Sequence, residues 1–245
     1  IQAEGPETVG AFIAEPIMGA GGVIVPPRTY FEKVQEVLDR YNILFIADEV
    51  ICGFGRTGRM FATETFRLKP DMITVAKQLS SAYQPISALF INDKIYQAAK
   101  KASDEIGTFG HGFTYSGHPV AAAVALETLR IYEEDGIVEH VRNVMSPFQK
   151  RLKDLNKFEH IGETRGRGLI GAFELVADKC LKTPMQPVGA AGKAVVAKCM
   201  DYGVILRALG DSVAFCPPLI ITEEQVHDMF DKVEAALVDW HESLG

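Results

Sequence analysis

The chain has 245 residues, 47% hydrophobic and 23% charged, which is room for one large domain or two smaller ones around a sizeable core. A formal net charge of −7, without any run of Lys and Arg, argues against a general nucleic-acid binder. No apolar stretch reaches the roughly 18 residues a membrane-spanning helix needs. Cys52, Cys180, Cys199 and Cys216 stand far apart, with no zinc or disulfide spacing, so a reducing compartment and a cytoplasmic location are expected.

The chain opens on Ile1, with no initiator Met, basic region or apolar signal core, and reads as the middle of something longer. Residues 8–14 (TVGAFIA) form a short apolar run, predicted as a buried parallel-type strand. It ends in Glu15-Pro16, and the glycines and prolines of residues 19–27 mark a loop. Apolar residues at Tyr30, Phe31, Val34, Val37, Leu38 and Tyr41 have the 3–4 spacing of an amphipathic helix. A second apolar strand, residues 44–50 (LFIADEV), follows at once, which makes a βαβ unit with an expected right-handed crossover. Pro70-Asp71 opens a third strand, residues 72–76, which delivers Lys77; a further strand is predicted at 86–91. Asp93 is expected to cap a helix over 94–102. Residues 108–119 are rich in Gly, His and aromatics, a composition that suits binding more than core. An Ala-rich helix spans 120–134.

Asp135-Gly136 marks a change of character, and a domain boundary is placed there. Residues 137–155 read as one kinked helix or two, because Pro147 lies within the run. Residues 164–176 are predicted as a single strand, 179–189 as a loop, 192–202 as a helix, and 204–206 and 213–215 as strands. Thr222 with Glu224 and Gln225 forms a capping box for a last helix to Ser243.

Two charges stand out. Asp48 and Lys77 each end an apolar strand, and ligands of open α/β sheets collect at the carboxyl ends of strands. An apolar wall around Lys77 would lower its pKa and free the amine for a Schiff base with an aldehyde. A pyridoxal phosphate site needs such a lysine, and a carboxylate to keep the pyridine nitrogen protonated.

Residues 45–58 (FIADEVICGFGRTG), Pro70-Asp71 and Ala76-Lys77 resemble the signature of class III pyridoxal-phosphate aminotransferases. Residues 15–22 (EPIMGAGG), Pro26-Pro27, 112–119 (GFTYSGHP), 207–211 (RALGD) and Pro217-Pro218 fit the same family in the same order. Within it the chain is most similar to omega-amino acid or amine:pyruvate transaminases. The resemblance implies an α/β chain of the type I fold. It assigns residues 1–135 to the C-terminal part of the large domain, and 136–245 to an α+β small domain.

It also implies that Lys77 holds the cofactor and shuttles the 1,3-proton. Asp48 would pair with the pyridinium nitrogen and Val50 would pack on the ring. Thr114 would serve the cofactor phosphate of a neighbouring subunit, so a homodimer or dimer of dimers is expected. Arg207 resembles an arginine that binds a substrate carboxylate bidentately and swings away for an amine. For Glu15, a place at the cofactor and a structural ion pair are both open. Arg56 is read as loop or interface scaffold, and His111 and His118 as packing residues.

Two positions depart from the family. Gln78 and Ala82 stand where it commonly has Gly, which could narrow the backbone beside the lysine. Roughly another half-chain is expected on the N-terminal side, carrying a phosphate loop and a stacking aromatic. Three readings follow: a transaminase moving an amino group from an amine to a keto acid such as pyruvate by ping-pong chemistry; a racemase or decarboxylase relative; or an incomplete fragment that folds without a full site.

Overall fold

The computed structural model describes residues 1–244, which divide into two compact units. The first comprises Ile1–Pro16, Pro26–Phe54 and Arg59–Gly136; the second comprises Ile17–Val25, Gly55–Gly58 and the described residues from Ile137 onward.

In the first unit β1 (Ala11–Ala14), β2 (Leu44–Asp48), β3 (Met72–Val75) and β4 (Ala88–Ile91) form one sheet in chain order. β1, β2 and β3 run parallel, and β4 is antiparallel to β3. The apolar stripe of α1 (Tyr30–Tyr41) sets Phe31 and Leu38 against Phe45 of β2, with Ile43 and Leu68 completing the cluster. Asn42 ends the helix in the left-handed conformation, at φ 50. α2 (Ala62–Phe66) is a single short turn, followed later by α3 (Asp93–Ile106) and α4 (Pro119–Glu134). The cap of α3 is Asn92, whose side chain accepts from the Ile95 amide at 3.0 Å; the expected cap, Asp93, is the first helical residue.

The second unit packs α5 (Ile137–Asp154), α6 (Ala190–Asp201) and α7 (Glu223–Glu242) with a sheet of β5 (Ile161–Arg167), β6 (Ile170–Asp178), β7 (Thr183–Pro184), β8 (Arg207–Leu209) and β9 (Ser212–Phe215). α5 continues through Pro147, held by a buried face of Ile137, Val141, Val144, Phe148 and Leu152 at helical spacing. The single strand expected over 164–176 is a hairpin: Gly168, at φ 63, turns the chain so that β5 and β6 pair antiparallel. The strand expected at 204–206 begins instead at Arg207. Gly203 takes φ 83 and the Val204 amide returns to the Cys199 carbonyl at 2.9 Å, so these residues close α6. The loop expected over 179–189 contains β7, which pairs with β6. Thr222 and Gln225 form the capping box of α7: the threonine hydroxyl accepts from the Gln225 amide at 3.2 Å, and the Gln225 side chain accepts from the Thr222 amide at 3.0 Å. Among the described residues no helix is long and apolar enough to cross a membrane.

Candidate active site

β2 and β3 carry the centre of the site in the first unit. Asp48 is half-buried, and its Oδ1 accepts from the Val50 amide at 3.0 Å, a local turn that holds the carboxylate at the strand end. Its other oxygen has no hydrogen-bond partner among the described residues. Asp48 pairs in register with Thr74 of the parallel neighbour, so the two side chains share a face of the sheet. The Thr74 hydroxyl is buried and makes no hydrogen bond.

Lys77 comes three residues after Thr74 and opens a 3-10 turn, Lys77–Leu79. Its backbone sits at φ 44, in the left-handed region that a side chain occupies at a cost of about 1–2 kcal/mol. The side chain is exposed and unpaired among the described residues, so the apolar wall expected around it is not made by this chain. Of the two departures from the family, Gln78 keeps an ordinary backbone, whereas Ala82 takes φ 64, the conformation a glycine would accept freely.

Glu49, overlooked in the sequence, anchors this region. It is fully buried and accepts from the Ala62 amide at 3.0 Å and the Thr63 amide at 2.6 Å, which caps α2 from a distance. Burial pushes its carboxyl above the usual carboxylate range, and the Thr63 and Ala62 amides pull it partly back. Phe61, which precedes α2, has no capping side chain; Glu64 Oε1 accepts from the Phe61 amide at 3.1 Å, and the next two amides turn to Glu49. Val50 is half-buried beside these groups. Glu15, just beyond β1, is half-buried and engaged within the chain.

Thr114 lies exposed in a turn pinned by Ser116, whose hydroxyl accepts from the Phe113 amide at 3.0 Å. A cavity of about 630 Å³ opens beside that turn, lined by Pro85, Ile86, Phe113, Tyr115 and His118 among others. His111 packs edge-on between Phe109 and Phe113, and His118 precedes the first turn of α4.

The second unit holds the remaining candidates. Arg207 is exposed at the start of β8, the edge strand, opposite Ala214. Arg56 is buried, and its Nη1 donates to the carbonyls of Leu169 at 3.0 Å and Pro217 at 2.6 Å, which makes it a loop scaffold. Arg165 was also overlooked: it donates to the Gly22 carbonyl at 2.9 Å, Ser212 Oγ at 2.8 Å and Glu174 at 2.6 Å. Gly22 takes φ 114, and a Cβ there would stand 3.1 Å from the Arg165 guanidinium. Nothing in the sequence around Arg165 names these partners.

Asp48 at the end of β2 and Lys77 two residues beyond β3 each keep a polar atom unpaired among the described residues. The family model for class-III aminotransferases matches residues 1–237. Gamma aminobutyrate transaminase 3, chloroplastic, from Solanum lycopersicum is 50% identical over 236 residues, covering 96% of this chain and 45% of that one. Vanillin aminotransferase from Capsicum chinense is 49% identical over 236 residues, with coverages of 96% and 51%. Among solved structures, a transaminase with L-alanine superposes with a TM-score of 0.98 at 56% identity, covering 100% of this chain and 58% of its own. An omega transaminase from Pseudomonas jessenii in complex with PMP gives 0.97 at 52% identity, with coverages of 99% and 53%. The chain belongs to the class-III aminotransferase family, and it spans about half the length of the curated relatives it matches.

Pyridoxal phosphate, the cofactor of that family, suits the groups present. The unpaired Asp48 oxygen can accept from a protonated ring nitrogen, and the free Lys77 amine can condense with an aldehyde.

Proposed function

We propose that this chain supplies the chemical centre of a transaminase that moves an amino group from an amine or omega-amino acid to a keto acid such as pyruvate, in two ping-pong half-reactions. One observation carries the reading: Asp48 and Lys77 stand at the carboxyl ends of adjacent parallel strands, each with an unpaired polar atom. Bound cofactor supplies the electron sink. Lys77 then takes the proton from the donor carbon and returns it at the cofactor's side, the 1,3-shuttle. Asp48 keeps the ring nitrogen protonated, Val50 packs on the ring, and Glu15 borders the cofactor. Arg207 holds the substrate carboxylate, for which its planar fork is suited. The donor class is supported by relatives named for gamma-aminobutyrate and as omega transaminases. The acceptor is supported by a neighbour named with L-alanine, the amine form of pyruvate.

Thr114 serves the phosphate in a second copy of the chain, so the working form is a homodimer or a dimer of dimers. The aromatic side chains beside it, Phe113 and Tyr115, are 77% and 82% exposed, which suits a surface that a partner covers. A cytoplasmic location belongs to this reading; plant relatives named chloroplastic or mitochondrial make an organelle the competing compartment, and cell fractionation decides.

The test is borohydride reduction of the complete protein with pyridoxal phosphate, followed by peptide mapping. The label is expected on Lys77, and Lys77→Ala should lose both the label and the absorption band of bound cofactor. A label elsewhere, or an unaltered band in the variant, refutes the assignment. Pyruvate-dependent amine consumption separates amino transfer from racemisation or decarboxylation. The exposure of Lys77 favours a second reading, a polypeptide that assembles without closing its own site. Reduction of these 245 residues alone distinguishes the two.

A further inference from the structure

Away from the strand-end site, Glu159, His160 and His241 converge within the second unit, with one ligand-capable atom of each within 4.8 Å of the others. The turn leading into β5 delivers the first two, and the last turn of α7 delivers the third. His160 is the fixed member. Its Nδ1 lies 3.1 Å from the Val176 carbonyl, its own carbonyl accepts from the Val176 amide at 2.8 Å, and its ring packs edge-on against buried Trp240 at 5.5 Å. A carbonyl can only accept, so Nδ1 carries the hydrogen and Nε2 keeps its lone pair. Metal-binding histidines are set in this way, with the outer nitrogen on a carbonyl and the other nitrogen free to ligate.

The other two members are uncommitted. The His241 ring lies 5.3 Å from that of His160. Neither the His241 nor the Glu159 side chain has a hydrogen-bond or ion-pair partner among the described residues, and both residues are exposed. The cation beside this turn, Lys179, already donates to the carbonyls of Asn156 and Phe158.

The geometry points to a binding site for a divalent transition metal of the zinc class, with Glu159, His160 and His241 as ligands and water in the remaining position. Two imidazoles and one carboxylate suit zinc, nickel(II) or copper(II), and not calcium or magnesium, which take all-oxygen sets. Ligand atoms around one tetrahedral zinc lie about 3.4 Å apart, from bonds of about 2.1 Å. The two exposed side chains therefore close by about an ångström around the fixed imidazole. A bound ion ties the last turn of α7 to the entry of β5, and the site stands independently of amino transfer.

Isothermal titration of the complete, chelator-stripped protein with zinc chloride in a non-coordinating buffer tests it. One zinc per chain is expected, together with a rise in melting temperature. His241→Ala should weaken uptake by at least the roughly 10- to 100-fold that loss of even an outer-shell partner costs. Glu159→Gln should weaken it too, while Cys180→Ser and Cys216→Ser, which alter the exposed thiols, should leave it unchanged. The four substituted side chains are exposed, so the fold is expected to survive each substitution. No zinc uptake by the wild type, or equal uptake by wild type and His241→Ala, overturns the site.

Discussion

Glu49→Ala removes a fully buried carboxylate on which two backbone amides depend, at 3.0 and 2.6 Å. Hydrogen bonds to a charged group contribute about 1.5–3 kcal/mol each, so the pair contributes about 3–6 kcal/mol gross. Against this stands the cost of holding the charge away from water, the same burial that raises the carboxyl above its ordinary 4.5. Removing the charge returns part of the loss, and the net destabilisation is about 2–4 kcal/mol at neutral pH. The sign with pH is opposite to that of a salt-bridged acid. The folded state holds this proton more tightly than the unfolded chain does, so the Glu49 contribution falls as pH rises from 4.5 through the raised folded value. Glu49→Gln abolishes that slope, keeps one acceptor and costs about 1–3 kcal/mol. Urea unfolding followed by circular dichroism at acid and neutral pH measures both variants, and amide exchange at Ala62 and Thr63 reads the cap directly. Stability within about 0.5 kcal/mol of wild type, with unaltered exchange at those two amides, refutes the account.

Three further outcomes are expected. Gly168→Ala places a Cβ 2.3 Å from the Arg56 carbonyl at a residue with φ 63, and should destabilise the second unit by at least about 2 kcal/mol in urea melts. Ala82→Gly relieves a left-handed alanine and should stabilise by about 0.5–1 kcal/mol after the extra chain entropy of glycine; a loss of stability contradicts the assigned strain. Burial pushes the Cys199 thiol up to about 11, so iodoacetamide at neutral pH should modify exposed Cys180 first and reach Cys199 only on unfolding, as mass spectrometry of timed samples will show.

Much of the first unit was legible because its signals are local. The 3–4 spacing from Tyr30 to Tyr41 and the apolar run ending in Asp48 each need only neighbouring residues to be read. Lys77 and Asp48 drew notice through their positions at strand ends, yet the exposure of Lys77 depends on surfaces that no local pattern encodes. Glu49 was missed because an acid beside Asp48 looks solvated, while the amides it caps come 13 and 14 residues later. The hairpin at Gly168 was merged with the apolar run that follows it, although the polar stretch 164–168 (TRGRG), with glycines at 166 and 168, was a clue to a turn. Arg165 joins residues 143 and 47 positions away, a relation that only the folded chain expresses.

The buried guanidinium of Arg56 has a consequence for the order of events during synthesis. Its two acceptors, the carbonyls of Leu169 and Pro217, lie 113 and 161 residues downstream. At about 5–20 residues per second, the second acceptor leaves the ribosome roughly 8–30 s after the arginine does. During that interval Gly55–Gly58 and Ile17–Val25 wait for the larger part of their unit, which begins at Ile137. Closure of the second unit is therefore a late event with a large loop to gather, and the nascent chain has a long window in which chaperones can reach it.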